Sequence, residues 1–156
     1  MNKQIMETLT ITADREDHSV GLTGVLRIFE FSGTGEGWHN NSSVLDFCSR
    51  LEHISESMEG SAELIGSEGF VNQPEYLETF SMRVSPMNTS KLNGTISLFI
   101  CVANGGSYPD RRELETRKMS GEMKVRNHRV LQFAKDMRSL MHGDVDSVFL
   151  EGDNVI

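Results

Sequence analysis

The chain has 156 residues, 37% of them apolar, and a formal net charge of -8. That length makes one domain, 1–156, which buries roughly 70% of its unfolded surface without metal or disulfide staples. The charge is uneven: nine basic residues fall between Asp110 and Arg138 with five acidic ones, leaving six basic and eighteen acidic residues elsewhere. Over most of the surface a phosphate backbone would be repelled, which argues against a nucleic-acid binder and favours a basic protein partner.

The first stretch, Ile5 to Ala13, alternates Leu9, Ile11 and Ala13 against Thr8, Thr10 and Thr12, the pattern of a half-buried strand. No apolar core of signal-peptide length occurs near the N-terminus, and no window approaches a membrane span, so the expectation is a cytoplasmic protein with no membrane partner. A second strand is expected from Val20 to Phe31, hairpin-paired with the first. The run Gly33-Thr34-Gly35-Glu36-Gly37 then breaks the apolar pattern. It lacks the Lys-Ser/Thr of a phosphate loop, and its glycines are evenly spaced, which does not fit GxGxxG. It reads as a glycine-rich connection. Trp38 after it is assigned to the core, with a contact surface as the other reading.

Ser42 to Met58 carries one apolar stripe, Val44, Phe47, Cys48, Leu51, Ile54 and Met58, at helical spacing. Ser43 is the expected N-cap, Asp46 the capping-box partner, and Gly60 the C-cap. Short strands follow at Ala62–Ile65, Tyr76–Val84 and Thr95–Val102, the last expected to be central. The loop beginning at Asn104-Gly105-Gly106 carries Arg111 and Arg112, exposed candidates for a partner contact. Met119 to Arg126 alternates again and runs into a second helix, His128 to Met141, N-capped by Asn127, with the stripe Val130, Phe133, Ala134, Met137 and Leu140. An acidic tail, 144–156, contains Val148-Phe149-Leu150, an edge strand or a docked end. VLDFCSRL (44–51) and VLQFAKDM (130–137) share a pattern, which suggests a pseudo-repeat spanning 20–65 and 93–141. The expected fold is α+β: an antiparallel sheet of about six strands with two amphipathic helices packed on it.

No constellation of catalytic or ligating residues emerges. The five histidines lie apart, and neither Cys48 nor Cys101 belongs to a spaced motif, so both read as buried free thiols. Asp144-x-Asp146 lacks the ligand order of a calcium loop. The expectation is therefore no metal, no cofactor and no catalytic residue. Candidate partner contacts are Arg111, Arg112 and Trp38. The alternative is a small ligand-binding domain or enzyme, its pocket between sheet and helices and lined by Phe29, Phe80 and Trp38.

The order of strand, Gly/Trp connection, VLxF helix, several strands and a second such helix resembles a group of small bacterial proteins, the WapI-type immunity proteins among them. The resemblance spans about residues 20–141 and rests on Trp38, Val44-Leu45-x-Phe47 with Leu51, and Val130-Leu131-x-Phe133 with Met137. It carries over no catalytic residue. What it implies is a non-enzymatic protein-binding module that neutralises a toxin domain by binding it.

Overall fold

The computed structural model describes residues 7–68, 76–88, 93–105 and 116–153. The chain runs β1 (Glu7–Arg15), β2 (Ser19–Ile28), β3 (Phe31–Asn40), α1 (Asn41–Ser57), β4 (Ala62–Glu68), β5 (Leu77–Pro86), β6 (Thr95–Asn104), β7 (Arg117–Arg126), α2 (Asn127–His142) and β8 (Ser147–Glu151). The fold is α+β: one antiparallel sheet of eight strands, ordered β7-β6-β5-β4-β3-β2-β1-β8, with two helices packed on it. Two strands exceed the six expected from periodicity. One is β8, built from the acidic tail, which pairs with β1 from Thr8↔Glu151 through Thr12↔Ser147. The other is β3, which occupies the glycine run read as a connection. Strand β6, expected to be central, lies next to the end strand β7.

Alternation buries one face of each strand. Leu9 and Ile11, Leu22 and Leu26, Met82 and Val84, Ile96, Leu98 and Ile100 point inward, where they meet the two helix stripes. The stripes contribute Val44, Phe47, Leu51 and Ile54 from α1, and Val130, Phe133, Met137 and Leu140 from α2. Arg138 of α2 joins the helices from outside, donating to Glu52 of α1 at 2.6 Å and to Ser49 Oγ at 2.8 Å. Asn127 Nδ2 donates to Ser55 O at 3.2 Å in the buried seam between them.

The sheet does not stay open. Strand β3 pairs with β2 along its whole length but with β4 only at Trp38↔Ser67. Its N-terminal part lies across β5 and β6 instead. Glycine makes that approach feasible. A Cβ on Gly35 would overlap the Thr79 carbonyl oxygen and stand 2.8 Å from Ala103 N; one on Gly33 would meet Val102 and Met119 at 3.1 Å. A bulge between Gly66 and Ser67 of β4 bends the adjoining pair β4–β5 at the same place. Asn104 Nδ2 pins the crossing by donating to Thr34 O at 3.0 Å. At the far rim Asp153 N, two residues past β8, donates to Lys124 O of β7 at 2.8 Å.

Three strands, a helix and a strand follow one another twice, over 7–68 and 77–151. From β3 through β4, and from β7 through β8, the two units correspond at a constant separation of 86 positions without a gap. Both helices leave their strand with no loop. Asn41 N donates to His18 O at 3.1 Å, and its counterpart Asn127 N donates to Gly94 O at 2.9 Å. The pair Trp38↔Ser67 has its counterpart in Lys124 and Asp153.

This strand-into-helix join displaces the expected caps. Asn40 and Arg126 flank the helices in extended conformation, and neither supplies a side-chain cap. Ser43 is therefore inside the first turn, and Asp46 pairs with Arg50 at 2.9 Å instead of reaching back. At the other end the C-cap is Met58 (φ 55), its N–H returning to Ile54 O, and Gly60, also at positive φ, comes two residues later. The buried Met58 side chain holds that conformation.

Candidate functional site

With β3 a strand, its alternation is fixed. Gly33, Gly35, Gly37 and His39 face inward, while Thr34, Glu36, Trp38 and Asn40 face outward. Trp38 is accordingly not a core residue. It is 41% exposed, with its ring lying on Gly21 of β2, where a Cβ would come within 2.8 Å of Cε2. Its Nε1 donates to Glu36 Oε1 at 3.2 Å, and Thr23 Oγ1 donates to the other oxygen of the same carboxylate at 3.2 Å. Arg111 and Arg112 lie outside the described residues.

Because β3 and β4 share one ladder pair, they diverge beyond it and leave a cleft of about 770 Å³. The end of β3, the first turns of α1 and the start of β4 form its walls, with Trp38, His39, Ser43, Arg50 and Glu63 among the lining residues. Of the charges along it, Arg50 pairs with Asp46 at 2.9 Å, and Glu63 lies 3.9 Å from Arg83, whose closer partner is Glu78. His39 is 7% exposed and its Nε2 has no hydrogen-bond partner. Burial pushes the imidazole down to about 4, so it is neutral at pH 7.

Of the three residues expected to line a pocket between sheet and helices, Trp38 lines this cleft, and Phe29 and Phe80 do not. Phe80 is in the core, packed on Gly24. Phe29 is at the tip of the β2–β3 hairpin, whose two-residue turn, Phe29-Glu30, separates the pair Ile28↔Phe31. Its φ is +55, a left-handed backbone that a bulky residue seldom adopts. Phe29 is 51% exposed and Phe31 71%. The expected strand ran through this turn to Phe31, with Phe29 turned toward a pocket; the signal of the turn is the glutamate that interrupts three apolar positions.

Outside these regions, Glu78 and Arg83 on β5 form an ion pair at 2.7 Å, and Ser81 Oγ donates to the same carboxylate. The Arg83 hydrogen bond holds Glu78 below the usual carboxylate range. Cys101 beside them is only part-buried, not fully buried as expected; Cys48 is buried. Desolvation raises both thiols, Cys48 to about 11. Among the described residues no three His, Cys, Asp or Glu side chains converge as a metal set, and no helix is long and apolar enough to cross a membrane. No protein-family model, curated protein or solved structure matches the chain.

Proposed function

We propose that the chain is a non-catalytic protein-binding module, of the kind the immunity-protein resemblance implies, and that it holds a basic partner through the β2–β3 hairpin tip. The observation that carries this reading is the pair of exposed phenylalanines, Phe29 and Phe31, on a two-residue turn. Each offers about 1.5–3 kcal/mol on full burial. Aromatic side chains that enter a partner's recess are the residues that dominate interface energetics. The left-handed Phe29 backbone supports the reading too, because such strain persists where structure over-determines it and clusters at functional positions. A turn this short loses little freedom on docking. The net charge of -8 supplies the sign: a basic partner is steered toward the chain, and salt weakens the encounter.

The test compares the wild-type chain with Phe31→Ser, first in affinity capture and then with the purified captured protein. A basic protein retained by the wild type, bound at least about tenfold more weakly by Phe31→Ser and more weakly at high salt, is the expected result. A partner whose affinity Phe31→Ser and Phe29→Gly both leave within about twofold overturns the assignment of the tip.

A further inference from the structure

The two units treat the N-termini of their helices differently. In the second, Asp153 comes in from the end of β8, and its Oδ2 accepts from Arg126 N at 2.6 Å. Its Oδ1 accepts from Arg129 Nη1 at 2.7 Å. A carboxylate thus sits against the positive end of α2, clasped by a guanidinium from its first turn. In the first unit the corresponding residues are Asn40, Ser43 and Ser67. Here Ser67 stands where the aspartate is and Ser43 where the arginine is, and Asn40 and Ser43 line the cleft of about 770 Å³. The first turn of α1 contains no acidic residue, and no side chain of its flanking residue caps it.

Backbone direction points the donors into that cleft. Asn41 N turns toward β2 to reach His18 O, so the alternation of an antiparallel ladder turns Asn40 N toward β4. The N–H groups of Ser42 and Ser43 have no intrahelical acceptor. Independently of the helix end, His39 lines the cleft with its Nε2 buried and unpartnered, on the side facing Gly66 of β4. An unpaired buried polar group is costly, and a ligand that bonds it recovers the loss. Local charge is offset in part: Asp46 has Arg50 beside it at 2.9 Å, and Glu63 lies 3.9 Å from Arg83, which Glu78 holds more closely at 2.7 Å.

We infer that the cleft between β3 and β4 is a carboxylate-binding site, in which an external carboxylate takes the place at α1 that Asp153 takes at α2. The carboxylate comes from an extended acidic peptide segment or from a free small acid. The cleft is at the Trp38 end of β3, about 23 Å along the strand from the Phe31 tip, so this site stands or falls separately from the hairpin interface.

Trp38, the sole tryptophan, lines the cleft and reports its occupancy by fluorescence. Titration of the full chain with succinate should give a saturable change, half-complete at roughly millimolar concentration. Succinamide, and sodium chloride at matched ionic strength, should give none. Ser67→Asp supplies the chain's own carboxylate and should weaken succinate at least about tenfold, whereas Ser43→Arg supplies the missing clasp and should strengthen it about fivefold. These opposite signs keep the test decisive should one variant fold poorly. A peptide, acetyl-Leu-Glu-Gly-Asp-amide, separates the sources: binding at least about tenfold tighter than succinate identifies a polypeptide segment, and equal binding a free acid. A non-saturable response, an equal response to succinamide, or variants that both leave succinate affinity unchanged overturns the site.

Discussion

Gly35→Ala tests the crease of the sheet directly. The added methyl would overlap the Thr79 carbonyl oxygen and lie 2.8 Å from Ala103 N and 2.9 Å from Ala103 O. All three atoms are backbone, on the mutually paired strands β5 and β6, so no side chain can rotate away. Relief requires β3 to back off by about 1 Å or more, which also loosens the Gly33 and Gly37 contacts and the Asn104–Thr34 bond. Overpacking against movable side chains costs about 1–3 kcal/mol; against fixed backbone on two strands we expect about 3 kcal/mol. For a chain of this length that lowers Tm by about 6–12 °C. The control is Gly60→Ala, where nothing lies within 4 Å and only the left-handed backbone (φ 88) is penalised, at about 1 kcal/mol. Urea unfolding followed by far-UV circular dichroism measures both. A Gly35→Ala protein no less stable than Gly60→Ala refutes the close approach of β3 to β5 and β6.

Phe29→Gly relieves the positive φ while removing a half-exposed ring, and should leave stability unchanged or raise it by about 1 kcal/mol; a clear fall in Tm would show that the ring is held by contacts the turn depends on. His39→Val installs the residue found at the corresponding Val125. With the imidazole pushed from 6.5 down to about 4, the unfolded chain takes up a proton between those values that the folded chain refuses. Stability therefore falls as pH drops from 6.5 to 4, by up to about 3 kcal/mol. The variant should lose that slope in unfolding measured across the window; an unaltered slope would assign the proton uptake elsewhere. Asp153→Ala takes the carboxylate from Arg126 N and Arg129 and should cost about 1–2 kcal/mol in thermal unfolding; a loss below about 0.5 kcal/mol would refute its capping role.

Where side chains carry the period, the sequence could be read. Thr95 to Val102 and the stripes from Val44 and Val130 became elements at nearly the expected bounds, because alternation and helical spacing are statements about which side chains are buried. Strand β3 carries no such statement. Its inward positions are Gly33, Gly35 and Gly37, left without side chains because another backbone occupies the space. The apolar pattern vanishes where packing is tightest. The even spacing that rules out a dinucleotide loop is itself the period of a strand. Once β3 is missed, further errors follow from it: Trp38 is taken for a core residue instead of falling opposite the glycines, and Ser43 for a cap although the helix starts two residues earlier. The cleft was illegible for another reason. It arises from a single ladder pair between β3 and β4, a property of register across a helical crossover that no local window contains.

The internal correspondence separates what the fold requires from what it leaves free. Gly35 and Gly121, Asn41 and Asn127, Val44 and Val130, Phe47 and Phe133, Leu64 and Leu150, Gly66 and Gly152 are identical across the two units. These are positions of close approach, the strand-to-helix join and the core. The units part at Trp38 and Lys124, His39 and Val125, Ser43 and Arg129, Ser67 and Asp153. Each of these pairs stands where the strand before the helix meets the strand after it. In the second unit the four residues seal that junction with a buried valine and a clasped carboxylate. In the first, Ser43 and a histidine whose buried Nε2 has no hydrogen-bond partner line an open cleft beside an aromatic ring. A fold needing closure only for stability has, in Val125, Arg129 and Asp153, a working solution at the same geometry. That the first unit departs from all three at once, retaining a buried polar group at a cost of about 1–3 kcal/mol, is what an open junction kept for a ligand requires.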